Sequence, residues 1–270
     1  MTQRSRSLSS PRGFLIIAIT CAILIALPLV ALIIRVPWTN FWSSLSSDAA
    51  TTALFLSART SLITTSLAVI TGLPLAWLLA HRNFPGIAVV RALCVLPMVL
   101  PPVVGGVALL YAFGTKGLIG SALDNWWGIR LGFTQTAAIL AQYFVAVPFF
   151  IVVMESAFQQ FDQRLAHAAR TLGAGPWRTF VTVTLPVVRP ALIAGVVLTW
   201  ARALGEFGAT ITFAGNTPGR TQTLPLAIYT AFESGDDQAL VLSFIMMAVS
   251  FVVLVLLRQH WISALKRGGQ

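Results

Sequence analysis

Arg202 and Glu206 stand four residues apart inside a run that is otherwise apolar and small. On a helix that spacing places both side chains on one face. Ionisable groups inside a membrane are costly, so such a pair either satisfies itself or borders a water-filled route. Both readings stay open at this point. Gly205 and Gly208 flank the carboxylate and permit tight helix packing or a local bend, and Thr199, Thr210 and Thr212 add hydroxyls to the same stretch. A second set of special residues lies upstream, in Leu100-Pro101-Pro102-Val103-Val104-Gly105-Gly106. Prolines interrupt a helical hydrogen-bond ladder, and glycines admit another backbone closely. In a membrane such interruptions are tolerated where they are buried in protein or line a cavity. Pro101, Pro102, Gly105, Gly106, Thr199, Arg202, Glu206, Thr210 and Thr212 are therefore candidates for a polar pathway or gate, with helix packing as the competing role.

The residues of other chemistries are sparse. No G-x-x-x-x-G-K-[ST] phosphate loop occurs, and Gly114-Thr115-Lys116-Gly117 lacks its spacing. The three histidines, His81, His167 and His260, sit at the edges of apolar runs and suggest no catalytic arrangement. Cys21 and Cys94 lie within apolar stretches, where an inert packing role is expected, and no metal-ligand spacing is present. The chain is expected to be no enzyme, to hold no cofactor or metal, and to leave any ATP hydrolysis to another subunit.

These residues must be positioned by membrane helices. Of 270 residues, 57% are hydrophobic and only 10% charged, a balance foreign to soluble domains of this size. Runs of about 20 apolar residues mark membrane spans. Six are expected, near 14–34, 54–80, 91–113, 134–154, 191–213 and 238–257. The first follows a basic start but is too long for a signal-peptide core and lacks a small-residue cleavage site after it, so it reads as an anchor. The third is expected to be broken by its prolines. Residues 35–53 carry Trp38, Phe41 and Trp42, which suit a membrane–water interface.

The net charge is +10. Its distribution accounts for it without any nucleic-acid partner. Twelve Lys and Arg fall in the N-terminal tail, residues 81–91, residues 155–190 and the C-terminal tail; four fall in the alternate loops, at Arg35, Lys116, Arg130 and Arg220. Arg59 and Arg202 lie within spans. The positive-inside bias then orients both termini and the 155–190 loop to the cytoplasm. Three segments are expected: 1–53 with the first helix and an external loop, a core over 54–257, and a basic cytoplasmic tail over 258–270.

The longest polar stretch between two spans holds His167-Ala168-Ala169-Arg170-Thr171-Leu172-Gly173-Ala174-Gly175-Pro176-Trp177 and, further on, Val183-Thr184-Leu185-Pro186. Phe158, Phe161, Leu165, Ala168 and Leu172 recur at helical spacing, so an amphipathic helix is expected over 155–172. Gly173 can end it in the left-handed conformation, and Pro176 can open a short second helix. The stretch resembles the cytoplasmic loop of ABC-importer permease subunits: Glu-Ala-Ala, three residues, Gly, nine residues, Ile-x-Leu-Pro. Every spacing matches; Val183 replaces the Ile and His167 replaces the Glu. The Gly205-Glu206-Phe207-Gly208-Ala209-Thr210 run, the Arg220-Thr221-Gln222-Thr223-Leu224-Pro225 segment and the Pro101-Pro102 stretch are closer still to the molybdate permeases of that family.

The resemblance implies an all-α membrane protein with the type I ABC-importer permease fold and six transmembrane helices, in a bacterial cell membrane. It implies a pathway formed with a second copy of the chain, two cytoplasmic ATPase subunits that carry ATP and Mg, and an extracytoplasmic oxyanion-binding protein. His167, Ala168, Ala169, Leu172, Gly173, Ala174, Pro176, Trp177, Leu185 and Pro186 would form the ATPase-coupling loop. Sulfate, tungstate or another oxyanion is the alternative cargo. An ion-gradient-driven secondary transporter is the alternative of a different class, and it should show membrane carboxylates free to couple ions and an inverted repeat. A non-transporting membrane scaffold is a third, disfavoured by the broken span and the loop motif.

Overall fold

The computed structural model describes the backbone of residues 12–267 and the side chains of residues 14–255. The cations of the expected N-terminal tail, Arg4 and Arg6, lie outside the described residues. The described chain is helical throughout: α1 Arg12–Arg35, α2 Asp48–His81, α3 Ile87–Val99, α4 Pro102–Phe113, α5 Gly120–Trp127, α6 Gln135–Gln159, α7 Gln163–Thr171, α8 Pro176–Leu204, α9 Gly208–Ala214, α10 Leu224–Glu233 and α11 Gln238–Arg267. The last helix runs on past residue 257, so the stretch to Arg267 continues it.

Among the described residues five helices are long and apolar enough to cross a membrane, at Phe14–Arg35, Asp48–His81, Gln135–Gln159, Pro176–Leu204 and Gln238–Val255. The expected third span is broken at its prolines. It is two short helices, α3 with 13 residues and α4 with 12, each below the roughly 20 needed to cross alone. The cause is local. Pro101 disfavours helical backbone at the residue before it, and Leu100 is extended with ψ 137°. Pro102 then opens α4 where its missing N–H costs nothing. The expected fifth span is likewise cut. Its helix begins at Pro176, ends at Leu204, and resumes at Gly208 after a three-residue break.

A stripe of small residues on α2 sets the packing. Ala50, Ala53, Ser57, Thr60, Ser61, Thr64, Ala68, Gly72 and Ala76 are buried at helical spacing. Small side chains let helices approach closely when lipid offers no hydrophobic drive of its own. α6 lies against this stripe, and α8 packs on both. Phe150 of α6 is fully buried between two glycines: a Cβ on Gly72 of α2 would meet its ring at 2.9 Å, and one on Gly195 of α8 at 3.3 Å. Hydroxyls in the stripe are largely satisfied, Thr65 by the Ser61 carbonyl at 2.7 Å and Ser61 by the indole N–H of Trp200 at 3.0 Å. The second core holds α4, α6 and α9 together through Leu109, Ala137, Ala138, Ala141, Val145, Ala209 and Phe213.

The flanks are different in kind. α1 buries none of its apolar core against the rest of the described chain, and Phe14 to Ile34 present their side chains outward. The loop after it is more structured than an interface belt: Trp38 and Phe41 pack on Phe244 of α11, while Trp42 stays exposed. The polar segment over 214–237 contains α10, and its Thr221, Gln222 and Thr223 are buried, with the Leu224 N–H donating to Ser57 Oγ of α2 at 2.5 Å.

Gly106 fixes the joint between the two broken elements. A Cβ there would meet Thr212 Cβ at 2.6 Å and the Ala209 carbonyl oxygen at 2.9 Å, both on α9. Gly106→Ala is expected to force α4 and α9 apart and cost about 1–3 kcal/mol. A lowered thermal midpoint of the purified protein in detergent checks this, and an unchanged midpoint contradicts it.

Candidate functional site

Two regions carry the candidate residues. The first is the loop from Asp162 to Pro186. The expected single helix over 155–172 is divided: α6 ends at Gln159, and Asp162 starts α7 by accepting the Arg164 N–H at 2.9 Å. The division follows from burial. Phe158 and Phe161 are turned into the core shared by α2, α6 and α8, and Ala166 of α7 joins them there. The rest of α7 is surface, with His167 and Ala168 exposed and Ala169 half-buried.

α7 ends as the sequence predicts. Gly173 has φ +88°, its N–H donates to the Arg170 carbonyl at 2.9 Å, and the Ala174 N–H donates to the Ala169 carbonyl at 3.0 Å. That double bond is the Schellman closure, and a glycine supplies the left-handed residue without steric cost. Pro176 opens α8 at its first turn. Two large apolar side chains then stand out from the tip, Leu172 at 89% exposure and Trp177 at 76%. Trp177 stacks on Phe180 at 5.9 Å and borders an apolar hollow of about 690 Å³ lined also by Leu73, Pro74 and Trp77 of α2.

The second helix of the loop does not end as expected. It passes through a π-helical turn at Phe180–Thr184, where the Leu185 N–H donates to the Phe180 carbonyl, and continues into the span. Pro186 has no N–H to return to the preceding turn, and a wide turn absorbs that defect. Leu185 packs on the core and Pro186 is exposed at the foot of the span, so both belong to the mount of the loop and not to its tip. His167, Ala168, Ala169, Leu172, Gly173, Ala174, Pro176 and Trp177 are brought together at the tip.

The second region is the pair of broken elements. Arg202 Nη2 lies 2.6 Å from Glu206 Oε2, and Glu206 is 1% exposed. The other carboxylate oxygen, Oε1, accepts the Ala209 N–H at 2.8 Å. The carboxylate therefore caps α9 while it neutralises the last turn of α8. The structural pairing stands, and it is more than a pair: it pins the break. Gly208 makes the close approach possible, since a Cβ there would meet Pro102 Cβ at 2.8 Å.

The other pathway candidates divide. Gly105 packs against Phe144, at 3.1 Å from an added Cβ, and Gly106 against α9. Both glycines are buried in helix contacts and present no open backbone. Thr212 returns its hydroxyl to the Gly208 carbonyl at 2.9 Å. Pro101 and Pro102 are exposed, and Arg202 is partly so. Thr199 and Thr210 are fully buried with hydroxyls that have no hydrogen-bond partner. Gln142 of α6 joins them. It is fully buried, holds the Thr64 hydroxyl with Oε1 at 3.2 Å, and leaves Nε2 unpartnered. Sequence reasoning missed Gln142, although an amide well inside the apolar 134–154 run was its signal.

It also missed an ion pair. Glu155, the single charged residue between Thr134 and Gln159, is buried in α6 and lies 2.7 Å from Arg91 of α3. Among the described residues Glu155 lies within a long apolar helix and Glu206 in the break between α8 and α9, and each is held by an arginine. Among the described residues no group of His, Cys, Asp and Glu is arranged for a metal ion.

The comparisons with known proteins fit this geometry. The family described as "Binding-protein-dependent transport system inner membrane component" matches residues 72–268. The "Molybdenum transport system permease protein ModB" of Mycobacterium tuberculosis (strain ATCC 25618 / H37Rv) is 43% identical over 245 residues, covering 91% of this chain and 92% of that protein. The protein of the same name from Escherichia coli (strain K12) is 41% identical over 219 residues, covering 80% and 94%. A chain in the crystal structure of a bacterial alginate ABC transporter in complex with an alginate pentasaccharide-bound periplasmic protein superposes with TM-score 0.70 at 16% identity, over 91% of this chain and 93% of that one. At that identity the likeness concerns the fold alone.

The pin at Glu206 generates a graded prediction. Glu206→Ala leaves Arg202 without its partner and α9 without its cap, and should cost on the order of 3 kcal/mol. Glu206→Gln can still accept the Ala209 N–H and should cost clearly less. Thermal unfolding in detergent, followed by tryptophan fluorescence, checks the order; equal stability of both variants and wild type contradicts it.

Proposed function

The chain belongs to the family of binding-protein-dependent transport system inner membrane components, and on that premise we propose that it is the membrane-spanning half of an ATP-driven importer for molybdate. The observation that carries this reading is the loop tip. It is an exposed, well-capped knob with two projecting apolar side chains, mounted directly on two membrane helices. A separate ATPase subunit, holding ATP and Mg, would seat on it. The relatives named for molybdenum transport support the cargo. The chain's own membrane carboxylates are both ion-paired, which disfavours the gradient-driven alternative.

Two copies of the chain would form the pathway, with the loop and both termini on the cytoplasmic face of a bacterial inner membrane, as the charge bias indicates. α1, which has no fully buried residue in its apolar run, leaves most of its apolar surface for lipid or for the second copy. An extracytoplasmic oxyanion-binding protein would deliver the anion on the other face. ATP binding would draw the two ATPase subunits and their two seated knobs together, and α6 and α8 would carry the movement inward.

Molybdate carries two negative charges, and an apolar channel would impose a large desolvation barrier. A strong cationic site would instead hold the ion, since passage needs binding weak enough to release. Arg202 is held by Glu206 at 2.6 Å, so the pair offers no strong cationic site to trap the ion. Gln142 Nε2 and the Thr199 and Thr210 hydroxyls are unpartnered donors on α6, α8 and α9, which pack on one another. These groups, and not the Gly105 and Gly106 backbone, are the ones suited to a transient anion.

Reconstitution into vesicles with its ATPase and its binding protein tests the reading. ATP-dependent molybdate uptake is expected, with sulfate a weaker competitor than tungstate. Uptake driven by a proton or sodium gradient without ATP would contradict it. In the same system Gly173→Val should weaken retention of the ATPase during purification and reduce uptake. Nothing lies within 4 Å of a Cβ at Gly173, so its effect is backbone strain at positive φ alone, of about 1–2 kcal/mol. Unaltered retention and uptake would remove the loop as the docking point.

A further inference from the structure

The Arg91–Glu155 pair sits where four elements meet, close under the coupling loop. Arg91, near the start of α3, donates Nε to Glu155 Oε1 at 2.7 Å and Nη2 to the Leu79 carbonyl of α2 at 3.1 Å. Gln159, in the last turn of α6, donates to the same carboxylate oxygen at 3.1 Å. One guanidinium thus fastens α3 to the cytoplasmic end of α2 and to the end of α6 that leads into α7. A second link completes the chain. His81, two residues beyond Leu79 at the last residue of α2, places Nε2 2.7 Å from Gln163 Nε2, the first residue of α7. Its Nδ1 faces the Trp77 carbonyl at 3.0 Å, so the neutral ring donates there and accepts the Gln163 amide. The coupling helix is tied to α2, α2 and α6 are tied to α3, and α3 ends at the Leu100–Pro101 break.

Apolar packing does not require this arrangement. The neighbouring core already fixes α2, α6, α7 and α8 through Phe150, Met154, Phe158, Phe161 and Ala166. α3 contributes only partly buried side chains to it, Ile87, Val90 and Cys94. α3 therefore adds no fully buried side chain to the group, and polar contacts make up part of its attachment. Burying a carboxylate for that purpose is costly unless it is fully paired, and directional pairs of this kind specify a geometry more than they add stability.

We propose that Arg91 and Glu155 are positioning residues for coupling: they transmit displacement of the ATPase-docking loop to α3 and so to the proline break at the pathway. Without the pair, the loop would move while α3 lagged behind it. The inference rests on the importer reading above, and its test separates the two.

The complex of this chain with its ATPase and binding protein is reconstituted in vesicles, and ATP hydrolysis and molybdate uptake are measured together. The wild type is expected to show hydrolysis stimulated by molybdate-loaded binding protein, together with uptake; if it shows neither, the importer reading itself fails. Given a coupled wild type, Glu155→Gln and Arg91→Met should assemble normally and hydrolyse ATP, yet respond weakly to the binding protein and spend several-fold more ATP per molybdate moved. Arg91→Lys keeps a cationic donor for the carboxylate and the Leu79 carbonyl, and should retain most of the coupling. An unchanged ratio of ATP to molybdate in Glu155→Gln and Arg91→Met overturns the proposal. Failure of those two variants to assemble, with Arg91→Lys no better, overturns it as well, because the pair would then serve stability only.

Discussion

Within a bilayer every interruption of a helix exposes backbone groups that no water can satisfy. This chain breaks two of its membrane elements and must meet that demand with its own side chains. Glu206 does so at one break, taking the Ala209 N–H with one oxygen and the Arg202 guanidinium with the other. At the other, Pro101 and Pro102 bring no N–H to be satisfied, and the Val104 and Gly105 N–H groups return to the Pro101 carbonyl at 2.9 and 3.2 Å. The two breaks are then locked together by Gly106 and Gly208, which allow α4 and α9 to approach at near backbone distance. The remaining architecture follows from this joint. α6 must present small residues to both broken elements, and does so with Ala137, Ala138 and Ala141. α2 must carry its own small stripe so that α6 can be central.

The loop at the other end obeys the same rule by different means. Its helix α7 is closed by a glycine at positive φ and started by an aspartate cap, and its second limb is the first turns of α8. What makes it more than a surface loop is its attachment. Ala166 is sunk in the core beside Phe158 and Phe161, and α8 rises from Pro176 to Leu204 without a break. A force on Leu172 or Trp177 therefore reaches the interior through continuous helix on one side and a packed core on the other. The π turn over Phe180–Thr184 is the single irregular step on that path, and it is imposed by Pro186.

Much of this was legible in the residues. The Gly173 and Pro176 positions named the turn because each residue type answers one backbone requirement. The i,i+4 spacing of Arg202 and Glu206 put them on one face and left pairing open beside a role on the route; the 2.6 Å contact shows the pair. The proline pair named the break after Leu100. Other features needed the third dimension. Hydropathy cannot distinguish one broken span from two short helices, so the run over 91–113 read as one. Helical periodicity continued smoothly across Gln160 and Phe161, because Phe161 is apolar for the core and not for the helix face, and the division of α6 from α7 was hidden. Glu155 and Arg91 lie 64 residues apart, and nothing local announces that they meet. Gly105 and Gly106 were ambiguous between packing and lining because a glycine serves both; the 2.6 Å approach to Thr212 decides for packing.

On the proposed reading, the loop and the helices packed around it would move as one body when a partner ATPase binds ATP. Spin labels at Leu172 and Leu78, both on exposed positions, measure it directly. In complexes labelled at both sites on one copy only, the distance between the two labels should be the same with and without ATP. In complexes carrying a label at Leu172 on each copy, the distance between copies should shorten when ATP binds. A change in the first distance as large as that in the second would mean that the loop swings on its own, and would contradict the account.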